Sequence, residues 1–83
     1  RVLIDVANGR VKEELVEMLV RNGHTVERGS ASVSAARFDV VVVGSVELAE
    51  RLHRERPAQA VVVYTKLGDV EARIRALQVG ASD

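Results

Sequence analysis

The sequence feature that most constrains the fold is a run of four consecutive valines, Val40 to Val43, which follows Asp39 and ends at Gly44. Its length and its β-branched residues predict a strand. No polar residue interrupts the run, so both of its faces need apolar cover, which is typical of a central strand in a parallel sheet. Parallel strands are joined by long crossovers, usually helices, so the run favours a fold in which strands and helices alternate.

The rest of the chain supplies that alternation. The predicted strands are short apolar runs, the second of them weak, at 2–6, 24–27, 38–43 and 60–64. The predicted helices have apolar residues at helical spacing, and they cover 10–21, 33–36 (a weak turn), 46–56 and 69–79. Asn8 is the expected N-cap of the first helix. This order predicts an α/β domain with a parallel sheet and right-handed crossovers.

Length and composition narrow the class of protein. The 83 residues suit one small domain, 1–83, and twelve basic residues balance twelve acidic ones. Balanced charge and only two aromatic residues, Phe38 and Tyr64, argue against direct binding of nucleic acid. The chain has no cysteine and no apolar run near the roughly 18 residues of a membrane span. We therefore expect a cytoplasmic domain that binds neither nucleic acid nor a membrane.

Several short features occur at fixed spacings. Gly23-His24 follows the first helix, Thr65 ends the fourth strand, and Gly80-Ala81-Ser82-Asp83 follows the last helix. Together with the strand at Val40 to Val43, they resemble the receiver domains of two-component response regulators over nearly the whole chain. The resemblance implies a flavodoxin-like (CheY-like) parallel sheet flanked by helices. We expect the last strand and helix of that fold to be missing from residues 1–83.

The chain departs from the receiver pattern at the phosphorylation site. The family's acidic pair falls at Val6 and Ala7, with Asn8 just beyond, and its phosphorylated Asp falls at Gly44. Asp5 lies one residue too early, and the period of a strand directs it to the opposite face. Phosphoryl transfer needs a nucleophilic carboxylate and Mg²⁺ held by further oxygen ligands. We therefore predict a degenerate receiver that is not an enzyme and has no metal or other cofactor.

The other candidate site residues have structural interpretations that outweigh functional ones. His24 and His53 lack ligand spacing to another His, Asp or Glu. The resemblance implies that Thr65 is also a phosphorylation-site position, where a working receiver contacts the phosphoryl group. Here Thr65 is expected to be a strand-end hydroxyl that bonds to the backbone. The role of Lys66 is left open, because it lies beside the emptied site and could pair with Asp5 or bind an anion. A solvated surface lysine is the more common case.

Two functions are consistent with this pattern. The first is a regulatory protein–protein interaction or dimerisation module. Because the chain starts at Arg1 and not at a methionine, it is expected to be an excerpt, and the resemblance implies an output domain, commonly a DNA-binding transcription regulator, elsewhere in the polypeptide. The alternative is a small-ligand sensor, since such sheets bind ligands at the carboxyl ends of their strands. Its cleft would be small and uncharged, and lined by Ala7, Asn8, Gly44 and Thr65.

Overall fold

The computed structural model describes residues 1–31 and 37–80. The turn predicted at 33–36 and residues 81–83 of the receiver-like signature lie outside the described residues. The described strands are β1 (Val2–Asp5), β2 (Val26–Arg28), β3 (Val40–Val43) and β4 (Ala60–Val63). The described helices are α1 (Gly9–Arg21), α2 (Val46–Glu55) and α3 (Leu67–Gly80). None of these helices is both long enough and apolar enough to span a membrane.

The four strands form one parallel sheet in the order β2-β1-β3-β4. β3 therefore has a neighbour on each side, and all four of its valines are buried, as the uninterrupted apolar run predicts. The strand order is that of the first four strands of a flavodoxin-like sheet. The predicted α/β, flavodoxin-like fold class is confirmed.

The second strand begins later than predicted because Gly23 and His24, the residues after α1, cap the C-terminus of that helix. Gly23 has a φ of +89°, the left-handed conformation in which glycine is favoured. The N–H of Gly23 donates to the carbonyl of Val20, and the N–H of His24 donates to that of Leu19, both at 3.0 Å. These two bonds form a Schellman cap. The backbone of His24 thus belongs to the helix cap, and β2 starts at Val26.

Each face of the sheet carries an apolar cluster. On one face, strand residues pack against α1 and α3 in a cluster formed by Val2, Ile4, Val6, Val40, Val42, Val62, Leu15, Leu19, Val70 and Ile74. On the other face, strand residues pack against α2 and the chain before β3 in a cluster formed by Leu3, Val41, Val43, Ala31, Phe38 and Leu52. The connection β1–α1–β2 runs towards one edge of the sheet, and the connection β3–α2–β4 runs towards the other. Because both connections are right-handed, α1 and α2 lie on opposite faces.

The last helix lies on the same face as α1. Val70 and Ile74 of α3 are fully buried in the cluster that contains Leu15 and Leu19 of α1. The connection β3–α2–β4 moves outward along the sheet with its helix on the α2 face. A right-handed connection that continued outward from β4 to a parallel strand would place its helix on that same face. A parallel strand that directly followed α3 would therefore reach the outer edge of β4 through a left-handed crossover, which is rare.

Candidate functional site

A cleft of about 400 Å³ lies at the carboxyl ends of β1 and β3. These two neighbouring strands lead into helices on opposite faces of the sheet, so the cleft lies at the topological switch point, where α/β sheets bind ligands. Its lining comes from the turns after β1 and β3 and from the end of β4, and it includes Val6, Ala7, Asn8, Gly44, Ser45 and Tyr64.

Two helix N-termini border the cleft, and each is capped by a side chain. The Oδ1 of Asn8 accepts a hydrogen bond from the N–H of Val11 at 3.1 Å, which confirms the predicted N-cap of α1. The Oγ of Ser45 accepts one from the N–H of Leu48, also at 3.1 Å, at the start of α2. Both side-chain oxygens therefore satisfy first-turn N–H groups of their own helices.

Four of the positions that the sequence singles out meet in this cleft. Val6, Ala7 and Asn8 follow β1, and Gly44 follows β3 directly beside them. A Cβ atom added to Gly44 would lie 3.6 Å from the Cγ1 of Val6, which is an ordinary contact distance. Val6 is buried in the apolar cluster below the cleft, while Ala7 and Asn8 are exposed. None of the four side chains is a carboxylate.

One acidic residue, Asp5, lines the cleft, so the expectation of a lining without charged residues is wrong. Its Oδ2 accepts a hydrogen bond from the N–H of Ala31 at 2.8 Å. Ala31 belongs to the cluster on the α2 face, whereas Val6 belongs to the cluster on the α1 face. Asp5 thus points to the face opposite Val6, as the strand period predicts, and it ties the chain after β2 to the end of β1. This hydrogen bond gives Asp5 a backbone amide as its partner, whereas the sequence leaves a pairing with Lys66 open.

Thr65 and Lys66 follow β4, but the residue from this segment that lines the cleft is Tyr64. The hydroxyl of Thr65 donates to the Oδ2 of Asp69 at 3.2 Å, so its expected bond to the backbone is wrong and its partner is a side chain in the first turn of α3. Lys66 is exposed, and its carbonyl accepts the N–H of Val70 at 3.2 Å. This backbone bond belongs to the first turn of α3.

A histidine–carboxylate pair away from the cleft was not predicted. The Nε2 of His24 lies 3.3 Å from the Oε2 of Glu71, with side chains that are only 11% and 15% exposed. The guanidinium of Arg75 donates to the other oxygen of Glu71 at 2.9 Å. Sequence spacing could not reveal this pair, because it depends on α3 packing on the α1 face. His53, by contrast, is exposed on α2, as expected.

The described residues contain no group of three or more His, Asp or Glu side chains that could hold a metal ion. Comparison of the chain with family models, with curated proteins and with solved structures found no match. The likeness to receiver domains therefore remains a prediction from the sequence. The fold and the composition of the cleft are the observations from which a function can be proposed.

Proposed function

We propose that this chain is a receiver-like module that accepts no phosphoryl group and acts in signalling through contacts with other proteins, including self-association. The observation that carries the proposal is the composition of the cleft. Val6, Ala7 and Gly44 meet at the strand ends, where phosphoryl transfer would need a nucleophile and Mg²⁺ ligands. Asp5 is the acidic residue of the lining, and its carboxylate accepts a hydrogen bond from the N–H of Ala31 on the other face of the sheet.

A module of this kind regulates through its surface. A receiver changes state because the phosphoryl group biases two conformations, so a chain without that group occupies one state or is shifted by a binding partner. The balanced charge supports a protein partner over nucleic acid. We further propose a cytoplasmic location and, by analogy with receivers, an output domain in the same polypeptide.

The test is an NMR titration with Mg²⁺ and beryllofluoride, which mimics a phosphoryl group on a receiver. The wild-type chain should show no saturable shift of the amides of Ala7, Gly44 and Thr65. The A7D/G44D variant places carboxylates at an exposed position and at a position with room for a side chain. This variant should gain Mg²⁺-dependent shifts at the same amides.

The matched control is A7N/G44N, which keeps the size of the new side chains without their charge and should not respond. Saturable shifts in the wild type would contradict the claim that the site is silent. A well-folded A7D/G44D variant without any response would contradict the receiver-like geometry of the cleft.

The size and lining of the cleft also support the second candidate function, a small-ligand sensor. Its volume of about 400 Å³ falls within the roughly 300–1,000 Å³ of ligand pockets. Its lining combines apolar residues with Asp5 and the ring of Tyr64. A thermal-shift screen with nucleotides and metabolites tests it, because a ligand at a hundred times its Kd stabilises the fold by roughly 2.7 kcal/mol. A screen without any saturable shift would rule against this candidate.

A further inference from the structure

The two edges of the sheet differ in how they are protected. The β2 edge is three residues long and ends in Glu27-Arg28. Glu27 pairs with Arg1 at 2.7 Å, and Arg28 pairs with Glu13 at 2.6 Å. Short length and charged side chains are the usual features that keep an edge strand from pairing with another chain.

The β4 edge is also short, but it lacks the charged side chains that protect β2. β4 is Ala60–Val63, four apolar residues without a charge or a proline, and no strand of the described chain pairs with its outer side. The N–H of Tyr64 donates to the carbonyl of Val43 at 2.8 Å. Because backbone groups alternate along a strand, the N–H groups of Val61 and Val63 point away from β3. These N–H groups can donate hydrogen bonds to a strand of another chain.

The position of α3 disfavours one way of covering this edge, a parallel strand that directly follows α3. α3 packs on the α1 face through Val70 and Ile74. A parallel strand that directly follows α3 would reach β4 through a left-handed crossover, whereas parallel crossovers are right-handed in about 98% of cases. A strand from another molecule is under no such constraint.

A groove of about 510 Å³ runs beside the β4 edge on the α2 face. One stripe of α2 forms one side of it, and Gln59 and Val61 form the other. Val46 at one end of the stripe is 59% exposed, a large value for an apolar side chain. The stripe also carries Glu50 and Arg54, which have opposite charges and are one helical turn apart.

We propose that two copies of this chain pair through their β4 edges, antiparallel about a two-fold axis, and bury the α2 grooves between them. This proposal rests on the proposed function, because it assigns a surface to self-association. A two-fold interface requires a self-complementary surface. The apolar β4 strands meet this requirement, and so do antiparallel α2 helices, which set Glu50 of one copy against Arg54 of the other. The two sheets then form one continuous sheet.

The first test concerns the outward N–H groups of β4. Sedimentation velocity over a range of concentrations should show a monomer–dimer equilibrium for the wild type. V61P removes an outward donor, and proline is tolerated on an edge strand where its missing N–H would face outward. V61A is the matched control, since it removes similar packing but keeps the N–H. We expect V61P to raise the dimer Kd at least about tenfold above that of V61A.

The second test concerns charge and does not involve the core. E50R would set like charges against each other across the two-fold axis and should raise the dimer Kd about tenfold. The charge swap E50R/R54E restores opposite charges at both contacts and should return the Kd to within about threefold of the wild type. Both positions are exposed on α2, so these variants test the interface even if V61P unfolds the chain.

A wild-type chain that stays monomeric up to about 1 mM would overturn the proposed interface, because a dimer Kd above that value means very weak binding. So would a dimer whose Kd changes with neither V61P nor E50R, because that dimer must form through another surface. The beryllofluoride titration of the same samples separates this failure from failure of the proposed function. A silent cleft in a monomer, or in a dimer that uses another surface, overturns the β4 interface alone.

Discussion

At the scale of single residues, the backbone requires glycine at only one of two positions that follow a helix or a strand. Gly23 has a φ of +89°, which side-chain-bearing residues adopt only at a cost. Gly44 has no positive φ, and a Cβ there would meet Val6 at an ordinary 3.6 Å. The backbone at Gly44 would therefore accept a side chain, so sterics do not require glycine at this position.

This contrast predicts opposite effects of alanine at the two positions. G44A should raise the free energy of unfolding by about 0.4–1 kcal/mol, because alanine lowers the entropy of the unfolded chain without strain in the folded one. G23A should lower it by about 1–2 kcal/mol, because alanine is strained in the left-handed conformation. Urea denaturation measures both values. A loss of stability in G44A would mean that the backbone at Gly44 is strained.

At the scale of elements, α1 and β2 are linked by a two-pronged ion pair. The Nε and a terminal nitrogen of Arg28 donate to the two carboxylate oxygens of Glu13, each at 2.6 Å. These hydrogen bonds, together with the charge of Arg28, hold the pKa of Glu13 below its ordinary value of 4.5. The same contact raises the pKa of Arg28. The link favours the ionised form of Glu13 in the folded chain.

The lowered pKa of Glu13 predicts the direction of a pH effect on stability. The contribution of the pair is fully present above the unfolded pKa of Glu13, near 4.5, and is lost as the pH falls through the lowered folded value. Urea denaturation between neutral pH and about pH 3 should therefore show a stability difference between wild type and E13Q that disappears in acid. R28Q, which removes the other partner, should behave like E13Q. A difference that grows as the pH falls would contradict the pairing.

At the scale of the whole molecule, the position of α3 determines both the core and the exposed edge. Ile74 is fully buried between the sheet and α1, whereas Leu77, one turn further along α3, is 39% exposed. On the same face, His24 approaches Glu71 from the loop after α1. These contacts hold α3 on the α1 side and leave the outer edge of β4 without a neighbour in the described chain.

The packing of α3 predicts unequal costs for two truncations on the same helix. I74A should lower the free energy of unfolding by about 2–5 kcal/mol, because it opens a cavity in the core. That loss is a large part of the total stability of a small domain. L77A should change stability by less than about 1 kcal/mol. If denaturation curves gave the two variants equal losses, α3 would not pack on the α1 face as described.

The sequence predicts much of this fold because apolar patterning determines its elements. The run Val40–Val43 had to be a covered central strand, and Asn8 and Gly23 mark the two ends of α1. Patterning could not place the start of β2, because His24, the first residue of the predicted strand, belongs to the Schellman cap. It also could not assign α3 to a face, because an amphipathic helix has one apolar side wherever it packs. The His24–Glu71 pair depends on that choice of face.

The candidate site was predictable only in part, for a related reason. Residues next to strand ends, such as Ala7 and Gly44, meet wherever parallel strands are neighbours, so their meeting followed from the strand order. Side chains beyond β4 depend on how the chain enters α3. Tyr64 lines the cleft while Thr65 bonds to Asp69, and no spacing rule separates those outcomes.

The most direct test of the central claim is incubation of the chain with acetyl phosphate and Mg²⁺, followed by intact-mass spectrometry. We expect an unchanged mass for the wild type, because Gly44 lies where a nucleophile is needed and the carboxylate of Asp5 accepts the N–H of Ala31. A stoichiometric gain of one phosphoryl group, lost again in D5N, would show that Asp5 is a working acceptor. That result would contradict the proposal that the chain accepts no phosphoryl group.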